Sequence, residues 1–191
     1  MDRKPMAYTE HFERVMEIIR TRGLLLAARG PDGRPNAMTI GWGSIGTIWS
    51  MPMWIVLVRP SRFTYTCIEH AGAFSVNVPG ADLAKACSLC GTRSGRDMDK
   101  LAAAGLTIEP GQNGDPNRPY GRLGSPADVP VIAECPVVYE CQVVHRNDVA
   151  PGALVRELVT GPYANGDYHR IYFGRILSAH AAADAAERLT K

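Results

Sequence analysis

The run from Thr47 to Pro60, "TIWSMPMWIVLVRP", sets the strongest limit on what this chain can fold into. It is apolar, β-branched and aromatic, and Pro52 interrupts it. A proline lacks the backbone N–H and clashes with the preceding turn, so this run cannot be a helix interior. Its residue types suit a pleated, half-buried strand instead. Immediately before it lies "MTIGWGSIGT", where Gly41, Gly43 and Gly46 leave bare backbone in place of packed side chains. Glycines weaken a strand unless another group must approach the backbone closely.

The stretch "GWGSIG" also fits G-x-G-x-x-G, the fingerprint of a dinucleotide-binding βαβ unit. That fingerprint needs a helix opening from it and an acidic residue about 20 positions later. Here a strand-like run follows, and the nearest later acid, Glu69, falls inside a separate helical pattern. No dinucleotide-binding unit is expected.

The rest of the chain is strand-rich without regular βαβ alternation. "TEHFERVMEIIRTRG" predicts an N-terminal helix over about 9–22, with Thr9 as cap and Gly23 as terminator. "LLLAAR" and "NAMTIGW" flank the turn "GPDGRP" and predict a hairpin. "PSRFTYTCIEHAG" predicts a short helix capped by Ser61, followed by the strand "AFSVNV". Two short helices are expected in "ADLAKACSLCG" and "DMDKLAAAG". Three more strands are expected in "CPVVYECQVVHRND", "ALVRELVTG" and "YHRIYFGRILSA", followed by an Ala-rich helical tail. Residues 111–130 hold four Pro and four Gly and predict a long loop, a lid or a dimer arm in which Tyr120, Leu123 and Val129 need burial. The 191 residues suit a single domain, mainly β with α, built as a closed or partly closed antiparallel barrel decorated by short helices.

A formal net charge of +2 with 21% charged residues gives no electrostatic footprint for nucleic acid. No apolar run approaches a membrane span, and the N-terminus has no apolar signal core, so a cytoplasmic protein is expected. The five cysteines form an odd set, read as buried small hydrophobes in a reducing compartment. "CSLC", Cys87 to Cys90, leaves a redox-active dithiol open, whereas the spacing of "CPVVYEC" does not complete a zinc site. No metal site is expected. No Ser-His-Asp order or H-E-x-x-H spacing supports a hydrolase.

Three segments have the chemistry to hold a ligand. "RPSRFT" places Arg59, Ser61, Arg62 and Thr64 where a strand gives way to a helix, whose N-terminus attracts anions. Its plain alternative is a capped helix with two solvated arginines. "GTRSGRDMDK" brings Arg93, Arg96 and Lys100 to small, hydroxyl-bearing residues, and could equally be an ordinary polar loop. The glycine-rich stretch, with Thr39, Ser44 and the flat face of Trp42, suits a planar heterocycle better than a phosphate. His169, in "GDYHRIYFG", lies on an expected strand and by itself reads as structural.

Taken together, "NAMTIGWGSIGTIWSMPMWIVLVRPSRFTYTCIEHAGAFSVNVP", "CGTRSGRDMDK" and "DYHRIYFGRIL" resemble the flavin reductase–like family with the FMN-binding split barrel, in particular its flavoredoxin-like branch. The resemblance spans about 24–177. It implies a homodimer of six-stranded antiparallel split barrels with FMN near the subunit interface. On this sequence it implies that Met38, Thr39, Ile40, Gly41, Trp42 and Gly43 line the flavin ring. It further implies that Arg59, Ser61, Arg62, Phe63 and Thr64, with Asn77, Ser94 and Lys100, complete the cofactor site around the ribityl phosphate. His169 would sit at the reactive face of the flavin as the catalytic residue. The implied activity is an NAD(P)H-dependent flavin reductase or related oxidoreductase. The alternative is a non-enzymatic FMN electron carrier that exchanges electrons with protein partners.

Overall fold

The computed structural model describes residues 1–112 and 129–190. After strand β1 (Arg3–Pro5) and helix α1 (Phe12–Thr21) come strands β2 (Leu24–Arg29), β3 (Pro35–Ile40), β4 (Gly43–Ile48) and β5 (Met51–Val58). Helix α2 (Phe63–Ala71) leads to β6 (Ala73–Val78), then to helices α3 (Ala84–Thr92) and α4 (Lys100–Ala104). Strands β7 (Ile108–Pro110) and β8 (Pro130–Ile132) precede β9 (Val137–Asp148), helix α5 (Arg156–Thr160), β10 (Arg170–Ala182) and helix α6 (Ala185–Thr190).

The hydrogen-bonded order is β3-β2-β6-β9-β10-β5-β4, with β1 also paired to β10. Every ladder in this sheet is antiparallel. The sheet therefore holds eight strands where six were expected, and among the described residues no ladder joins β3 to β4 to close a barrel. One of the two additional strands, β1, is three residues long, too short to show any alternation in sequence. Register shifts between β9 and β10 at Phe173/Gly174 and Ile176/Ser178 bend the sheet. Gly174 is required there, because a Cβ would come within 2.4 Å of the Phe74 ring. One apolar core fills the inner face of the sheet around Trp54, Phe74, Tyr139 and Tyr172, and a second lies beneath α3 and α4.

Several local expectations change. Helix α1 begins at Phe12, and its N-cap is His11 in a left-handed conformation (φ 60°) rather than Thr9. The N-cap of α2 is Arg62, not Ser61, and no side chain caps it. The expected strand from Met38 to Gly43 is broken: β3 ends at Ile40, β4 begins at Gly43, and Gly41 and Trp42 stand outside both ladders. The expected strand "ALVRELVTG" folds instead as a 3-10 turn and the short helix α5, with Val155 and Leu158 exposed. Its apolar residues come in pairs four positions apart, Leu154–Val155 and Leu158–Val159, which is the spacing of a helix. Strands β7 and β8 pair with each other and form the stem of the 111–130 loop. Val129 is buried at that stem, while Tyr120 and Leu123 lie outside the described residues. Among the described residues no helix is long and apolar enough to cross a membrane.

Candidate functional site

The end of β3, the link to β4, the end of β5 and the residue before β10 surround a cleft of about 190 Å3. Met38, Thr39, Ile40, Gly41 and Trp42 form one wall, and Leu57, Arg59, Arg62 and His169 form the rest. A second, smaller pocket of about 90 Å3 shares Met38 and Arg62 with the first. It is lined by the start of α2 (Ser61, Phe63, Thr64), the end of α3 (Cys90, Gly91) and the segment Arg93–Gly95, with Lys100 beneath. The fold thus brings all three ligand-binding segments to one place. A further cleft of about 290 Å3 lies beyond Phe63 and Lys100, but it contains none of the ring-wall residues.

The second pocket is cationic. The guanidiniums of Arg62 and Arg93 have no hydrogen-bond or ion-pair partner among the described residues. Lys100 is 4% exposed, and its Nζ donates to the Cys90 carbonyl at 3.1 Å. Burial pulls the Lys100 ammonium below the usual lysine range. A buried ammonium with one protein acceptor is complementary to an anion. Thr64 is buried and accepts a bond from Asn36 Nδ2 at 2.7 Å, which leaves its own hydroxyl proton free to donate. The Ser94 hydroxyl accepts from the Arg96 backbone N–H at 3.2 Å.

Arg59 and Ser61, expected beside a phosphate, are committed elsewhere. Arg59 donates to the carbonyls of Pro162 (2.8 Å), Gly166 (3.3 Å) and Asp167 (2.9 Å), and lies over the Tyr163 ring at 5.2 Å. Ser61 Oγ donates to the Asp167 carboxylate at 2.5 Å. Both residues therefore pin the 162–167 segment, which carries His169 to the cleft. Their backbones border the site, and Arg59 still lines the ring cleft.

His169 precedes β10 rather than lying on it, and it is nearly buried. Its ring packs against Trp42 (centroids 5.0 Å apart) and Tyr163 (5.5 Å), and its Nδ1 lies 2.8 Å from the Tyr163 hydroxyl. Burial and the Arg59 and Arg62 guanidiniums push its pKa down to about 4, so His169 is neutral at physiological pH.

Two expected ligand residues are placed away from both cavities. Asn77 is fully buried in β6, where it donates to Leu25 O and Ser75 Oγ and accepts from the Ile132 N–H. Gly43 begins β4 with no room for a side chain, since a Cβ would stand 2.8 Å from the Ile55 carbonyl. Thr39 lines the wall, but its hydroxyl donates to the Cys87 carbonyl at 2.6 Å. Cys87 and Cys90 thus act through their carbonyls: both thiols are buried, and burial pushes Cys87 up to about 11 and Cys90 upward. That environment opposes a thiolate relay. The sequence reading missed Tyr163 and Leu57 as site residues, whereas Arg93 was named with its anion-binding segment. A second aromatic six residues before His169 was the available signal for Tyr163.

The family model described as the flavin reductase like domain matches residues 16–190. Among solved structures, flavoredoxin of Desulfovibrio vulgaris (Miyazaki F) superposes with a TM-score of 0.63 at 23% identity, covering 85% of this chain and 70% of that one. Flavoredoxin from Methanosarcina acetivorans gives 0.62 at 26% identity, covering 85% and 69%. An uncharacterized protein of Archaeoglobus fulgidus is 33% identical over 75 residues, which is 39% of this chain and 42% of that protein. The chain thus spans less than half of that relative.

Proposed function

The chain belongs to the flavin reductase-like domain family, and on that premise we propose that it is an FMN-binding oxidoreductase. It passes electrons from a nicotinamide or protein donor to a flavin or another acceptor. One observation carries the reading: a cleft walled by strand backbone and Trp42 opens, through Met38 and Arg62, into a cationic pocket with hydroxyl donors. A flat heterocycle with a phosphate tail has the matching chemistry.

When bound, FMN supplies the electron storage, and the protein binds, orients and tunes it. Arg62, Arg93 and Lys100 would hold the phosphate charge, with Thr64 and Ser94 as hydroxyl partners. Gly41 and Trp42 stand outside the strand ladders among the described residues, and their backbone N–H groups would be the donors available to the ring edge. This is the close approach that the glycine-rich stretch demands. Fixed N–H dipoles of this kind stabilise negative charge on a reduced ring. His169 closes the far side of the cleft as a neutral imidazole beside Trp42.

The reading includes a cytoplasmic homodimer. Free thiols at all five cysteines favour a reducing compartment. On the outer face of the sheet, Ile55 pairs with Phe173 and Leu57 with Ile171, all four only half-buried, with the exposed Trp49 packed on Phe173. Leu57 also lines the cleft, so a partner on this face would border the flavin. The deciding experiment is the absorbance of the purified protein between about 350 and 500 nm, with chromatography of the released flavin. FMN is expected; FAD alone, or no flavin after reconstitution, refutes the reading. Prompt bleaching by NADH or NADPH identifies a reductase, whereas bleaching only by a redox protein or dithionite identifies an electron carrier.

A further inference from the structure

We propose that Tyr163 is a positioning residue that fixes His169 as the tautomer protonated on Nε2, so that the cleft is offered a neutral N–H donor. This deepens the FMN reading and rests on it for the identity of the acceptor. Tyr163 is 5% exposed, and its hydroxyl has His169 Nδ1, at 2.8 Å, as its hydrogen-bond partner among the described residues. A buried phenol has one proton to donate, and leaving it without an acceptor costs on the order of 1–3 kcal/mol. Donation from Tyr163 to Nδ1 satisfies it. The opposite arrangement, Nδ1–H to the phenol oxygen, strands the phenolic proton. The imidazole proton therefore sits on Nε2, which has no partner among the described residues and belongs to a side chain lining the cleft.

The aromatic cluster holds this geometry. Tyr163 stacks on Tyr168 (centroids 4.8 Å apart, planes 25° apart), lies edge-on to Trp42, and carries the Arg59 guanidinium over its ring. Arg59 in turn grips the carbonyls of Pro162, Gly166 and Asp167 on either side of the turn that joins Tyr163 to His169. The chemical class this donor fits is a carbonyl or anionic acceptor, such as an oxygen of a reduced flavin ring. An ammonium or N–H group there would meet a like donor.

The lock is read by 15N NMR of histidine-labelled protein, free of flavin, at pH 7. The Nε2-protonated signature is expected for His169 in the wild type, collapsing to a mixture of tautomers in Tyr163→Phe. A wild-type Nδ1-protonated signature, or an unchanged one in Tyr163→Phe, overturns the proposal. The cleft-facing role is read by FMN fluorescence titration of His169→Gln and His169→Asn, whose amide nitrogens stand in for Nε2 and Nδ1 respectively. At least fivefold tighter binding by the Gln variant is expected, and equal binding overturns that role. Failure of the wild type to bind FMN refutes the cofactor reading, while the tautomer measurement still decides the lock.

Discussion

At the His169 end of the site, Arg59 gives its guanidinium to three carbonyls and Ser61 gives its hydroxyl to Asp167. At the pocket end, one to three residues away in sequence, Arg62 has no hydrogen-bond or ion-pair partner for its guanidinium among the described residues, and the buried Lys100 ammonium has one acceptor. One short segment thus feeds two different kinds of structure. The first is a closed network that shapes a wall. The second is a set of donors that make few bonds within the protein and are open to a ligand. Residue type marks both arginines as candidate anion binders; only the unfilled donors separate the binder from the brace.

The most demanding test of that difference is Arg62→Ala. Loss of a charge-assisted bond to phosphate, about 1.5–3 kcal/mol, lowers FMN affinity by about tenfold to a hundredfold. Fluorescence titration reads it, and wild-type affinity would place the phosphate elsewhere. Arg59→Ala sharpens the contrast from the other side. Its expected loss of FMN affinity is smaller, about threefold, while limited proteolysis within 161–168 accelerates because the brace is gone. Equal affinity losses in the two variants would erase the distinction drawn here.

A third test uses pH. His169 faces the Tyr163 hydroxyl, the Arg59 and Arg62 guanidiniums and the Asp167 carboxylate, and its pKa in the fold is about 4. The unfolded chain takes up this proton near pH 6.5, the folded chain only near 4. Over that window the unfolded state holds more protons, so stability falls as pH drops from about 6.5 to about 4. Above it His169 contributes no pH dependence. Denaturant unfolding of wild type and His169→Gln should therefore converge at neutral pH in slope against pH and diverge below it. The rate of flavin reduction should change by less than about twofold between pH 5.5 and 8.5 on account of this residue. A titration near pH 6.5 that disappears in His169→Gln would contradict the buried, braced environment.

The smallest effect is expected at the dithiol. Cys87→Ala and Cys90→Ala keep the carbonyls that receive Thr39 and Lys100, so electron transfer per bound FMN stays unchanged. A large loss of turnover at full flavin content would return the thiols to the chemistry.

The strands that carry the main apolar core were legible in the sequence. β5, β6 and β10 coincide with the most strand-like runs because burial leaves little choice of residue there. The three ligand-binding segments were legible as chemistry. The partners of their donors were not, since Pro162, Gly166 and Asp167 lie more than a hundred residues from Arg59 along the chain. Asn77 shows the converse: an amide read as a ligand group is used wholly to tie β6 to β2 and β8. β1 and β7 were invisible because three residues carry no period. The strand assigned to 153–161 failed because its apolar pairs, Leu154–Val155 and Leu158–Val159, recur four residues apart, the spacing of a helix rather than of a strand.

The hydroxyl bond from Thr39 to Cys87 joins positions 48 apart in sequence, and His169 reaches the same cleft from near the other end of the chain. Contacts of such separation form only after the loops between them have closed, so this site belongs to the late stage of folding. A ligand that recognises only the completed site cannot stabilise the transition state that precedes it. Saturation with FMN should accordingly leave the refolding rate nearly unchanged and slow unfolding by the full factor of its binding, so that the cofactor acts on the lifetime of the native chain rather than on the speed of reaching it.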